Sequence, residues 1–476
     1  MSDNAMKGLV TLGVAGLFIC GILLLRPDYF STSSGLAVLI GAEILLAATA
    51  NYRKAFLSLL LVCFLLAGAS LPFQAAFLQG RWVVLGAGAV AGLATYLKTR
   101  NHSFGTFHLV ALCCVLSGFV SALVSKYPSE SLLKAVSLFL LFFYASAGAR
   151  TAVPAQPERF FLKLVIGVEV LTWFSVVCYL PLRFEVFGNP NSLGAIMGVV
   201  VVPVLLWGFL TAQARAQRLR LGMELVLAIL LLLSSFARAA IAAAVISSLL
   251  VCLTTRQYRL LFRGASIGVV LAVCVILFVP QHTSAPTWDG ATPMTDMFLY
   301  KGKRNEGMFA SRRGVWQQTW DVIRDKPWFG SGFGTSSITE DMTKLQYAEH
   351  HIDTWVAREH GNSFLAIAEW TGLLGVVPFY ALIALAVLNV RSAFSWVRRT
   401  QDVFSPALLL AAIVTAGLID AMFEDWLFAV GYYLCVFFWI TAFLLVDVLP
   451  RPSIVYSPEP AAFLAGQPYA AVSPTR

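Results

Sequence analysis

Apolar runs of roughly 17–25 residues, separated by short polar clusters, recur along most of the chain, the pattern of membrane-crossing helices. Spans are expected near 7–25, 33–50, 55–73, 81–97, 104–124, 131–149, 160–181, 191–212, 219–235, 239–254, 265–280, 364–390, 404–422 and 427–447. Several are short or closely spaced, so the expected fold is all-α, a polytopic integral membrane protein of about 12–14 transmembrane helices with one large extracytoplasmic loop. The first run, near Lys7 to Leu25, carries no small-residue cleavage site and is expected to stay as a helix rather than act as a signal peptide. Composition agrees: 58% of the 476 residues are hydrophobic and 12% charged, against about 25% charged in a soluble protein.

The basic residues alternate sides across this map. One set of connections carries Arg53/Lys54, Lys98/Arg100, Arg150/Arg159, Arg215/Arg218/Arg220, Arg256/Arg259/Arg263 and Arg391/Arg398/Arg399, whereas the opposite set carries little beyond Arg26, Lys126 and Arg183. The positive-inside rule makes the first set cytoplasmic, with both termini inside. The net charge of +9 is then accounted for by topology and contact with anionic membrane lipids, and no nucleic-acid partner is called for. The domains expected are a helix bundle over 1–280, an extracytoplasmic loop with short helices over 281–361, further membrane helices over 362–450 and a disordered cytoplasmic tail over 451–476. All eight cysteines lie in apolar segments, so the loop has neither a disulfide frame nor a thiolate zinc site.

Candidate chemistry gathers at the outer ends. In the loop, "SRRGVWQQTWDVIRDKPWFGSGFG" (Ser311 to Gly334) predicts a helix over Arg312 to Arg324, stopped by Pro327 and the glycines. Helical spacing puts Val315, Trp316, Thr319, Trp320 and Ile323 on one face together with Arg312, while Arg313 points elsewhere. A cation on that stripe is either snorkelling or an anion ligand. Arg238, in "SSFARAA", lies at the outer turn between two spans, where it binds lipid phosphate or lines a phosphate cavity. Two arginines from different segments suit a pyrophosphate, because each guanidinium makes a two-pronged contact. "FGNPNSLGA" (Phe187 to Ala195) offers Asn189 and Asn191 as sugar ligands, or Asn191 and Ser192 as helix caps. "REHGNSFLAIAEWTGLLG" (Arg358 to Gly375) places Glu359 and His360 as proton acceptors beside a helix start that Asn362 or Ser363 can cap. His350, His351 and Asp353 read as a solvated cluster rather than a metal site. Asp420, Glu424 and Asp425 are membrane-edge carboxylates with no role that the sequence assigns. There is no P-loop, GxSxG, HExxH or CxxC motif, and no cofactor is expected.

These four segments, in this order and around one large loop, resemble the O-antigen ligase and O-antigen/exopolysaccharide polymerase family of bacterial envelope enzymes. The resemblance covers roughly 187–375. It implies transfer of a glycan from an undecaprenyl-pyrophosphate carrier to an acceptor hydroxyl, on a glycan or a lipid-linked acceptor, at the outer face of the inner membrane. It further implies no nucleotide sugar and no metal. The family's two functional arginines correspond to Arg238 and Arg312, with Asn189, Asn191, Asn362 and Glu369 as glycan or structural support.

Two departures stand out. Ala237 fills a position that is usually Ser, and Gly361 fills the slot directly before Asn362 where the family places His. Proton acceptance therefore falls to His360, to Glu359, or to neither. A transporter or flippase of an anionic lipid-linked substrate is the other reading, with the arginines in its pathway. The single large loop and the lack of internal repeats favour the transferase.

Overall fold

The computed structural model describes residues 53–71, 74–98, 104–150, 153, 157–182, 184–278, 310–336 and 358–449. The expected spans at 7–25 and 33–50, the tail, most of the outer loop and the His350/His351/Asp353 cluster lie outside them. Among the described residues the fold is all-α, without a strand. The helices are α1 (Arg53–Ala67), α2 (Gln74–Lys98), α3 (Thr106–Leu123), α4 (Pro128–Ala149), α5 (Pro157–Tyr179), α6 (Pro190–Thr211) and α7 (Arg215–Ser234). They continue as α8 (Arg238–Thr254), α9 (Tyr258–Phe278), α10 (Ala310–Asp325), α11 (Ser363–Thr400), α12 (Pro406–Asp420) and α13 (Tyr433–Val448). Each span expected between residues 55 and 447 coincides with one of these helices. Five, namely α3, α4, α5, α6 and α11, are long and apolar enough to cross a membrane by themselves. Shorter apolar helices, including α8, α12 and α13, pack among them.

α12 is apolar all round, and it is central: Leu409, Ala411, Ile413 and Val414 are all sealed inside, with α8, α11 and α13 around it. α3 instead shows a stripe of Leu109, Leu112, Leu116, Val120 and Leu123 to the outside, at the spacing of one helical face, which suits lipid. Helices near the site approach closely through small residues. A Cβ at Gly198 of α6 would overlap the backbone of Ala240 on α8, so only glycine permits this crossing. On the basic side, Arg150 joins Asp447 in a buried ion pair of 2.9 Å, tying the end of α4 to α13.

α11 is broken. Gly372 adopts φ +56° inside it, and the backbone groups freed by the break are taken up by the turn after α10. Leu373 and Leu374 donate to the carbonyls of Pro327 and Trp328, while Ser331 and Gly332 donate to those of Glu369 and Trp370. An interrupted helix is tolerated at membrane depth only where other protein satisfies its backbone. The glycines of "PWFGSGFG" and of "EWTGLLG" are thus two halves of one joint, which fixes α10 over the start of α11.

Candidate functional site

The N-terminal ends of α6, α8, α10 and α11 and the C-terminal end of α12 build the site. Asn189 caps α6, its side-chain oxygen accepting from the Asn191 backbone N–H at 2.8 Å, with Pro190 at the first helical position. The cap therefore lies ahead of the expected Asn191 or Ser192, because Pro190 supplies the φ of the first turn and needs no N–H partner. α6 connects to the α12–α13 region through Tyr433, whose hydroxyl donates to the Ser192 carbonyl at 3.0 Å. Arg238 opens α8 after a sharp turn in which Phe236 takes φ +52°.

α10 turns Arg312 inward and Arg313 outward, as helical spacing predicts. The buried face is rotated from the expected one, however: Thr319 and Val322 are enclosed and Trp320 is 52% exposed. The docking of Arg358 accounts for this rotation, since its guanidinium donates to Thr319 Oγ1 at 2.6 Å and draws that side inward. Arg312 donates through Nη1 to the Gly361 carbonyl at 2.8 Å and through Nη2 to Glu424 at 2.6 Å. It is close enough to Arg238 and to Asp420 for their charges to interact. Two cations from separate segments thus act on each other electrostatically, and Glu424 is the counter-ion of Arg312.

Asn362 caps α11, accepting from the N–H groups of Phe364 and Leu365 at 2.8 and 3.0 Å. Its amide also donates to the Met422 carbonyl, and Ser363 Oγ donates to that of Glu424. Both residues therefore clamp the start of α11 to the loop following α12, which brings Glu424 and Asp425 to the site.

His360 and Glu359 are separated by this arrangement. Glu359 is exposed. His360 is fully enclosed, its Nε2 3.3 Å from Glu369 and its Nδ1 3.4 Å from Asp425. Asp425 also accepts from the His360 backbone N–H at 2.7 Å. Arg358 completes the row by an ion pair with Glu369, which further accepts from Ser336 at 2.7 Å. Burial alone would pull the imidazole pKa down, but the hydrogen bonds and charges of Asp425 and Glu369 hold it above its ordinary value. Burial pushes Asp425 up, and the contacts with His360 outweigh it, so its carboxyl stays below the ordinary value. Arg358, Glu369, His360 and Asp425 form a chain of alternating charge.

Gly361 has φ +60°, and a Cβ there would overlap Arg312 Nη1. Gly361→Ala is expected to cost about 1–2 kcal/mol in backbone strain and to push Arg312 off the Gly361 carbonyl. Thermal unfolding of the detergent-solubilised variant checks this. An unchanged melting temperature would mean that the turn tolerates a side chain.

Fold and site together define a polytopic membrane protein with a cation pair at one end of its helix bundle. Residues 225–380 match the family model described as "O-Antigen ligase". This segment, which includes Arg238, Arg312 and His360, is similar to the O-antigen ligase family. It is also 31% identical over 104 residues to a general O-oligosaccharyltransferase of Acinetobacter baylyi. That alignment covers 21% of this chain and 16% of the relative. Glu424 and Asp425 fall beyond the family segment. The signal that points to them in the sequence is a cluster of carboxylates at a span's end.

Proposed function

We propose that this chain is a membrane enzyme that transfers a glycan from an undecaprenyl-pyrophosphate carrier to an acceptor hydroxyl, as a ligase or a polymerase, at the outer face of the inner membrane. The observation that carries the reading is the electrostatic interaction of Arg238 and Arg312, which come from separate segments. The acceptor oxygen forms a bond to the anomeric carbon, the carbon–oxygen bond to the carrier breaks, and its electron pair leaves on the diphosphate. Two guanidinium forks neutralise that charge, which is the contribution a divalent metal would otherwise make. In this reading Asn191 and Asn189, whose side-chain oxygen also caps α6, meet sugar hydroxyls. Asn362 and Glu369, whose polar groups are engaged within the protein, support the site instead. A transporter reading would draw on the break in α11, but the turn after α10 fills that break.

The hydroxyl proton needs an acceptor. Glu359, exposed beside Gly361, suits this better than His360, whose ring nitrogens both face carboxylates. His360 then positions the turn. Glu359→Gln is expected to lower transfer by about 10²–10⁴ with the fold intact, read as surface glycan at matched membrane levels. Full activity of that variant would remove Glu359 from the reaction.

Deleting the gene in its host should abolish one surface glycan and leave its lipid-linked precursor accumulating on the outer leaflet. Accumulation on the inner leaflet would favour a flippase. The topology required puts the loop 281–361 outside and the basic connections inside. An Asn305→Cys variant lacking reactive native thiols should be labelled from outside intact cells, whereas Arg218→Cys and Arg399→Cys should not. Labelling at either arginine position would overturn the orientation.

A further inference from the structure

Glu424 occupies one edge of the Arg312 guanidinium, the edge a diphosphate would need. Arg312 has one partner that cannot leave, the Gly361 carbonyl, and one that can, the Glu424 carboxylate. Carboxylate and phosphate oxygens engage a guanidinium in the same fork geometry. Glu424 is not sealed in: its side chain is 25% exposed and that of Arg312 19%. Its backbone is held separately, through the carbonyl that Ser363 Oγ reaches at 2.6 Å, so the side chain can swing without moving the loop.

We propose that Glu424 is a built-in stand-in for the carrier diphosphate, holding Arg312 while the site is empty and leaving it, with uptake of one proton, when the diphosphate arrives. This rests on the reading of Arg312 as a diphosphate ligand. The groups around Glu424 dictate the proton. Arg312 faces it from α10, Glu359 from the segment before α11, Asp420 from the end of α12, Asp425 from the same loop and Tyr432 from the start of α13. Arg312 is the cation among these, and three of the others are carboxylates. Burial raises the Glu424 carboxyl, Arg312 pulls it back, and Asp420, Asp425 and Glu359 push it up again, to about 7 in all. Exchanging Arg312 for a nearby diphosphate removes the restraining cation and adds negative charge. Glu424 is then neutral at physiological pH.

The sign of the pH dependence follows. Below pH 7 Glu424 is already protonated and competes little for Arg312. Above it, the ionised carboxylate competes and each binding event must take up a proton. The wild type should therefore lose affinity relative to Glu424→Gln as pH rises, approaching roughly tenfold per pH unit above 7 for one linked proton.

The test is titration of the purified full-length protein in detergent with undecaprenyl diphosphate between pH 6 and 8.5. The ratio of wild-type to Glu424→Gln dissociation constants cancels the probe's own ionisation. That ratio should sit near one at pH 6 and rise steeply above 7. A flat ratio, or weaker binding by Glu424→Gln at every pH, would overturn the proposal and make Glu424 a structural partner. Glu424→Asp retains the charge but shortens the reach to Arg312, and it should also tighten binding at pH 8.5. It serves as the measurement if Glu424→Gln melts early. Arg312→Ala separates the two ideas. If it binds the probe as well as the wild type does, the diphosphate reading itself fails, and the stand-in falls with it.

Discussion

Arg312→Ala is expected to abolish glycan transfer while leaving the protein inserted and folded. The guanidinium is held at 2.8 Å by the Gly361 carbonyl and presents Nη2 to Glu424, and its charge acts on Arg238. Loss of one preorganised donor to developing negative charge costs about 10²–10³ in rate. Arg312 offers two-pronged contact, so the loss should fall at the upper end or beyond. Arg238→Ala should behave alike. Lysine at either position should rescue poorly, because an ammonium is a point charge without the planar fork. Arg313→Ala is the internal control: it changes the same charge one residue away, on a side chain that faces out. Surface polysaccharide in a deletion strain, complemented at matched membrane levels, measures all five variants. Near-normal glycan with Arg312→Ala would remove that residue from the site. Loss with Arg313→Ala alone would mean that the wrong arginine has been assigned.

His360→Ala should produce the largest loss of stability. It deletes the one group between Glu369 and Asp425, both of which lie within 3.4 Å of the imidazole. Removing one partner from a buried charge pair costs about 3–5 kcal/mol, and the lower end applies here, because Asp425 loses its ring partner while Glu369 keeps Arg358. The chain of charges also predicts how stability changes with pH. His360 has a raised pKa, so its contribution is complete below its ordinary value near 6.5 and is lost as pH rises through the folded value. Asp425 has a depressed pKa, so its contribution is present above about 3.9 and is lost as pH falls through its folded value. Melting temperature in detergent should therefore fall on both sides of a plateau spanning roughly pH 4–6.5. His360→Gln should flatten both flanks. If His360→Ala melts with the wild type, the row of charges contributes nothing net.

How much of this was legible in the sequence depends on how local each feature is. Apolar runs located the helices from α1 to α9 and from α11 to α13, because lipid allows no other way to satisfy the backbone of a long apolar segment. The choice of Arg312 over Arg313 also followed from local spacing, since 100° per residue separates the two directions on one helix. Caps were partly legible. Asn362 was one of the two residues expected, whereas Asn189 was missed in favour of Asn191 because Pro190 shifts the first turn by a residue.

The rest is long-range. Nothing near Gly372 announces that a turn some forty residues earlier will fill a break there, since a glycine inside an apolar run is equally compatible with an unbroken helix. Glu424 and Asp425, which meet Arg312 and His360, come from a loop lying 112 and 65 residues further along, and periodicity carries no information across such separations. Sequence alone therefore determined the membrane class, the helices, and which arginines and carboxylates were chemically notable. Tertiary structure decided their pairing: it enclosed His360 between two carboxylates, left Glu359 in the open and set Glu424 against Arg312. The physical reason is that burial and charge pairing depend on which segments fold together, and a side chain's chemistry changes with both.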